Sequence, residues 1–194
     1  RDDDRDEITY PHLLPPRKPC IETARVALLE AIARQQRASR ADAEALVSVA
    51  DAVRLRRDLA ARDPEAFDGG LVRGLTELGH LLAAVGQEAG AFEAWAESVE
   101  VSRRLAARNP RRGLPCLADS LKALGWQFVM QERHPEALAP LAEAIDLYGR
   151  LAQTNPLYRR LQAECLGVVA ISCDESGQKP RALAARVKAV SLFR

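Results

Sequence analysis

The chain has 194 residues, 47% of them hydrophobic but only 5% aromatic, with 28 basic and 27 acidic side chains and a formal net charge of +1. That near-neutral balance sets up no general field toward nucleic acid or a membrane surface, and no apolar run approaches the ~18 residues that a spanning helix needs. Richness in Ala, Leu and Arg with few β-branched and aromatic residues predicts helices rather than strands, enough for one core or one repeat array.

Residues 1–20 differ from the rest. RDDDRDEITY is a charge cluster without the apolar stretch of a signal peptide. Four prolines between Pro11 and Pro19 then forbid more than a turn of helix. The segment reads as an acidic, Pro-rich linker, or as a tail that docks on the remainder through Tyr10, Leu13 and Leu14. The chain begins at Arg1, not Met, and is read as a processed product or a piece of something longer. The cytoplasm is the expected location, because the four cysteines read as buried thiols of a reducing compartment.

From residue 21 onward a pattern recurs. Leu121-x-x-Leu124-Gly125-x-x-Phe128 is matched 46 residues earlier by Leu75-x-x-Leu78-Gly79-x-x-Leu82, and 46 before that by Leu29-x-x-Ile32-Ala33-x-x-Gln36. Forward by 45 it becomes Leu166-x-x-Val169-Ala170-x-x-Cys173. Twelve residues after each small residue stands an alanine: Ala45, Ala91, Ala137 and Ala182. Four further on are Val49, Trp95, Leu141 and Arg186. Apolar residues at i, i+3 and i+7 make one stripe on a first helix, and a small residue within it lets a second helix come close. Trp95 and Leu141 are expected to fill the space beside Gly79 and Gly125. A unit of this kind leaves apolar surface bare unless it stacks on its neighbours.

The punctuation is periodic too. Pro64, Pro110 and Pro156 are each 46 residues from the next, after Asp63, Asn109 and Asn155. The segments RDLAARDP, RRLAARNP and GRLAQTNP predict long second helices that stop there, followed by a connector. Gly69, Gly70 and Gly74 are read as breaking that connector, with an anion site the less favoured alternative. Gly86, Glu132 and Gly177 mark turns inside the units, and Pro135 and Pro180 suit the first turn of the helices that follow.

This pattern resembles the tetratricopeptide repeat, whose signature is W-x-x-L-G-x-x-Y, then A-x-x-x-F, then P. The best matches are Leu121, Leu124, Gly125, Phe128, Ala137, Leu141 and Ala144. The period is 46 rather than the family's 34, like the long-period arrays of bacteria. Gln36 and Arg186 stand where apolar side chains are wanted, as terminal units of a stack would show. The resemblance implies an all-α, right-handed superhelical solenoid of about four antiparallel helix pairs over 21–194, in units of about 22–64, 68–110, 114–156 and 159–194.

No catalytic arrangement is present: no H-E-x-x-H, no G-x-S-x-G, no phosphate-cradling Gly loop. Cys20, Cys116, Cys165 and Cys173 form no Cys-x-x-Cys pair and read as buried thiols rather than a zinc site or redox pair. His12, His80 and His134 lie in separate places. No cofactor, no metal and no enzymatic activity are expected. In the family resembled, first helices line the concave side. Carried over position by position, the groove residues are Glu30, Arg34, Arg37, Arg73, Thr76, His80, Asp119, Lys122, Trp126, Val129, Glu164, Ile171 and Asp174. The partner-binding set is Arg34, Arg37, Arg73, His80, Asp119, Lys122, Trp126 and Ile171. Trp126 either points into the groove as an interface anchor or packs on Ile171 or a neighbouring first helix. The carboxylate clamp of chaperone-binding members is not reproduced: its places read Glu30/Arg34, Thr76/His80 and Lys122/Trp126.

The expected function is that of a non-catalytic module binding a peptide or protein segment in its groove, with neither nucleic acid nor membrane as partner. The alternative is a regulatory or sensor region of a larger signalling or transcription-regulatory protein, its groove filled by its own chain. Val187, Val190 and Phe193 lie on a last helix, 180–194, with no successor, which leaves homodimer formation through that helix open.

Overall fold

The computed structural model describes residues 21–193. The segment 1–20, with the docking residues Tyr10, Leu13 and Leu14, lies outside the described residues. Among these the chain is all-α: α1 (Ile21–Ala38), α2 (Asp42–Arg62), α3 (Pro64–Ala84), α4 (Glu88–Arg108), α5 (Pro110–Met130), α6 (His134–Leu151), α7 (Tyr158–Glu175) and α8 (Lys179–Ser191). Each helix packs on its sequence neighbours. In addition the backbones of α3 and α5, and of α5 and α7, come close, whereas those of the even-numbered helices stay apart and are joined only by long side chains. Odd helices drawn together and even helices splayed apart make a curved solenoid of helix pairs, with α1, α3, α5 and α7 on the inner wall.

The seam within each pair is built as the small residues require. A Cβ on Gly79 would stand 2.4 Å from Trp95 Nε1, and one on Gly125 would stand 2.6 Å from Leu141 Cγ. Ala33 and Ala170 are buried at the same station of the outer units. Trp95 and Leu141 are themselves fully buried, so truncating either would open a cavity costing about 3–5 kcal/mol.

The junctions between units correct the expected connector. Asp63 closes α2, its N–H reaching Leu59 O at 2.9 Å, and opens α3, its side chain accepting from Ala66 N at 3.1 Å. Asn109 does both for α4 and α5, with N–H to Leu105 O at 2.8 Å and Oδ1 accepting from Arg112 N at 3.2 Å. Pro64 and Pro110 therefore begin the next first helix, where a missing N–H costs nothing, instead of ending a unit. A capping side chain of this kind is worth about 1 kcal/mol. The length beyond the shorter repeat sits in both helices of the pair and not in a linker. The third junction differs: Asn155 Oδ1 accepts from Leu157 N at 3.1 Å, and α7 starts only at Tyr158.

Gly69, Gly70 and Gly74 break nothing, because α3 runs straight through them. A Cβ on Gly70 would fall 1.9 Å from Arg56 Nη1, and Gly74 faces Val53 and Arg56. The two glycines clear a channel through which Arg56 reaches from α2 to Glu30 on α1. One repeat later the same stations hold Ser102, Ser120 and Thr76, joined by hydroxyl hydrogen bonds through Ser98: Thr76–Ser98 at 3.1 Å, Ser98–Ser120 at 2.9 Å and Ser102–Ser120 at 3.1 Å. A further repeat on, Tyr148 occupies the station of Arg56. The polar filling changes from guanidinium to hydroxyls to phenol, and each makes a hydrogen bond, although the buried Arg56 Nε is left without a partner.

Two ion-pair series follow the 46-residue register. Arg57–Glu97 and Arg103–Glu143 (2.7 Å) bridge successive second helices. Arg62–Glu22 (3.1 Å) and Arg108–Asp68 (2.9 Å) tie second helix to first within a unit. Sequence reasoning did not find them. Most are exposed and worth under about 1 kcal/mol each. Asp68 is the exception, fully buried beneath Arg104 and Arg108.

Candidate functional site

The inner wall carries two adjoining cavities. The first, of about 590 Å³, is lined by Glu30, Arg34 and Arg37 of α1, by Arg73, Thr76, Glu77 and His80 of α3, and by Cys116, Asp119 and Ser120 of α5, among others. The second, of about 570 Å³, is lined by His80, Lys122, Ala123, Trp126, Glu164, Gly167, Val168 and Ile171. His80 belongs to both, so the two form one groove across α1, α3, α5 and α7.

The charges of the first cavity are unevenly committed. Glu30 is held by Arg56, Glu77 by Arg37 at 3.3 Å, and Asp119 by the Tyr148 hydroxyl at 2.6 Å. Arg34 and Arg73 have no acidic partner among the described residues. The acids are spent on the scaffold and two guanidiniums are left facing the cavity, which favours an anionic group on anything that enters. His80 packs edge-on against Trp95, with ring centroids 5.5 Å apart. Partial burial and the nearby charge of Arg37 push its pKa below the ordinary histidine value, with Glu77 opposing, so at neutral pH the ring is uncharged. The Cys116 thiol is pushed up by burial and by Asp119, which leaves less of it as the reactive thiolate than in a free cysteine.

The second cavity is mostly apolar. Trp126 is 44% exposed and Ile171 47%, both toward it, with Val168 beside them. Lys122 and Glu164 pair at 3.6 Å on its wall. Gly167 faces open space: a Cβ there would meet nothing within 4 Å. Large apolar side chains left half in solvent around a concavity are the usual anatomy of an anchor pocket.

All of the partner-binding residues named from the sequence line this groove: Arg34, Arg37, Arg73, His80 and Asp119 in the first part, and His80, Lys122, Trp126 and Ile171 in the second. Of the wider set, Val129 and Asp174 line neither cavity, and Asp174 is taken by Arg186. Glu77, Cys116, Gly167 and Val168 were missed. Gly167 had a signal, since it holds the station of Glu30, Thr76 and Lys122 in the earlier units, but a residue without a side chain is easily passed over.

Cys165 and Cys173 are buried, and burial pushes the Cys165 thiol up to about 12. Among the described residues no group of His, Cys, Asp or Glu is placed to hold a metal ion, and no helix is long and apolar enough to cross a membrane.

Comparison with solved structures gives the fold a context. BtubC (BKLC) from P. vanneervenii is similar over 94% of this chain and 67% of its own, with a TM-score of 0.73 at 12% identity. A DHF58 filament is similar over 89% of this chain and 92% of its own, with a TM-score of 0.51 at 22% identity. At such identities the likeness is one of fold. No family model matches the chain, and no curated protein matches it significantly. The likeness supports the all-α solenoid of paired helices described above.

Proposed function

We propose that this protein is a non-catalytic interaction scaffold of the long-period tetratricopeptide type, whose inner groove binds an extended segment of a partner protein. The observation that carries the reading is the join at His80 between a cavity with two uncommitted arginines and an apolar cavity around Trp126. A segment with an acidic side chain for Arg34 and Arg73, followed by a large apolar one for Trp126, Val168 and Ile171, matches both. Apolar burial then supplies affinity, and charge fixes direction along the groove.

The test is selection from a displayed peptide library, followed by fluorescence anisotropy with the selected peptide. Trp126→Ala is expected to weaken binding by about 1–2 kcal/mol, roughly tenfold. An acidic-plus-apolar consensus supports the reading. A consensus without acids, or unchanged affinity for the Trp126 variant, overturns it.

A second reading, a regulatory region whose groove is filled by its own chain, is favoured by one feature. Residues 1–20 combine Asp2, Asp3, Asp4, Asp6 and Glu7 with Tyr10, Leu13 and Leu14, the same two chemistries. Removal of 1–20 should then raise peptide affinity. If affinity does not change, the groove is free for other proteins.

A further inference from the structure

The repeat register lets each exposed side chain at the ends of the array be compared with its counterparts inside it. Leu183 and Val190 are exposed on α8, Val190 at 57%, and Phe193 is exposed just beyond its end at Ser191. The station of Val190 is held in earlier units by Val53, Val99 and Ile145, which are buried or half-buried against the first helix of the following unit. That of Phe193 is held by Arg56, Ser102 and Tyr148. The exposed stripe of α8 is therefore the surface by which α2, α4 and α6 each grip the next unit.

The other end carries the opposite half. Ile21, Leu28 and Ile32 are exposed on α1, Leu28 at 62%. The station of Leu28 is held by Gly74, Ser120 and Cys165, and that of Ile32 by Leu78, Leu124 and Val169. Gly74, Ser120, Cys165 and Leu78 are buried, Leu124 and Val169 half-buried. Gly74 lies directly against Val53. The two bare stripes are thus the two sides of one interface that the chain already makes three times, at α2–α3, α4–α5 and α6–α7.

We infer that a second copy of this chain docks head to tail, its α1 lying against α8 of the first as a following unit would. The contact is heterologous: the two surfaces differ, so each copy offers one of each and association propagates or closes into a ring. Leu28 is larger than the Gly, Ser and Cys at its internal counterparts, so the copies sit further apart than units within a chain. Association is correspondingly weaker and depends on concentration. The inference is independent of what the groove binds.

The geometry dictates a mixing experiment on the full chain. Sedimentation velocity over rising concentration should show the wild type associating. Val190→Glu spoils only the tail surface and Leu28→Glu only the head. Both positions are exposed, so both variants should keep wild-type helicity and melting. Each alone should remain monomeric, or weaken by more than about tenfold, since a charge is driven into an apolar contact. Mixed, Leu28→Glu supplies an intact tail and Val190→Glu an intact head, so a one-to-one dimer and nothing larger should form. Self-association of Leu28→Glu through two tails, or of Val190→Glu through two heads, overturns the inference. So does a mixture that stays monomeric. A wild type that is monomeric throughout, but associates once residues 1–20 are removed, also overturns it, by assigning the α1 surface to the chain's own N-terminal segment.

Discussion

The buried Tyr148 hydroxyl donates to Asp119 Oδ1 at 2.6 Å, joining a residue at the heart of α6 to a carboxylate exposed on the groove wall. Burial, and the bond to Asp119, raise the tyrosine's pKa far above its usual value, so the phenol stays protonated and donating over the whole working range. Tyr148→Phe should cost about 1 kcal/mol in urea unfolding, at the low end for a bond to a charge because water reaches Asp119. It should also alter peptide affinity, because Asp119 is then free to pair with whatever cation enters. A variant as stable as the wild type would show the bond to be energetically idle.

Two glycines should respond oppositely to alanine. A Cβ on Gly113 would stand 2.2 Å from the backbone nitrogen of Ala106, and backbone cannot swing aside. Gly113→Ala is expected to push α5 off α4 and lose about 3 kcal/mol. Gly167→Ala meets open space in mid-helix and should gain about 0.5–1 kcal/mol through helix propensity. Chemical denaturation of both variants reads the sign directly.

The intra-unit turns offer a gain. Arg40, Gly86, Glu132 and Gly177 hold equivalent stations, all with positive φ: 59°, 78°, 58° and 73°. Each closes its helix with the same pair of backbone bonds, as in Glu132 N to Val129 O at 3.0 Å and Arg133 N to Phe128 O at 2.8 Å. Two of the four carry a side chain in a conformation that glycine adopts without strain. Glu132→Gly and Arg40→Gly should each raise stability by about 0.5–1 kcal/mol, visible as a higher melting temperature.

His80 predicts an acid dependence. Its folded-state pKa lies below the unfolded value, so between the two the unfolded chain binds more protons than the folded one. Its contribution is complete above pH ~6.5 and is lost as pH falls through the folded-state pKa. Unfolding free energy should therefore decline on acidification below pH ~6.5, and His80→Gln should flatten that part of the curve. An unchanged slope in the variant would assign the decline to other groups.

Much of this was readable in the chain itself, and for a physical reason. Gly79 with Trp95, and Gly125 with Leu141, are packing pairs whose spacing follows from helix geometry, so small and large residues at fixed intervals locate the seam. The groove residues followed from the resemblance to the tetratricopeptide repeat, whose concave positions carry over once the register is fixed. The junctions were misread because Asn-Pro stops one helix and starts another with the same two residues, and only coordinates show that Asn109 does both. Gly70 and Gly74 looked like breakers because their purpose lies in Arg56, on another helix. The Arg103–Glu143 series stayed hidden because two charges 40 residues apart mean nothing until the pitch of the array is known.

The single-residue joints at Asp63 and Asn109 leave no slack. An α-helix advances about 100° per residue, so one residue inserted at either joint would swing the entire following unit out of register. The span 152–157 between α6 and α7 is the place where length is negotiable, and the chain has already used it: Leu166 follows Pro156 by ten residues where Leu121 follows Pro110 by eleven. That span is the natural splice point, where a unit can be grafted, tagged or exchanged without twisting the rest.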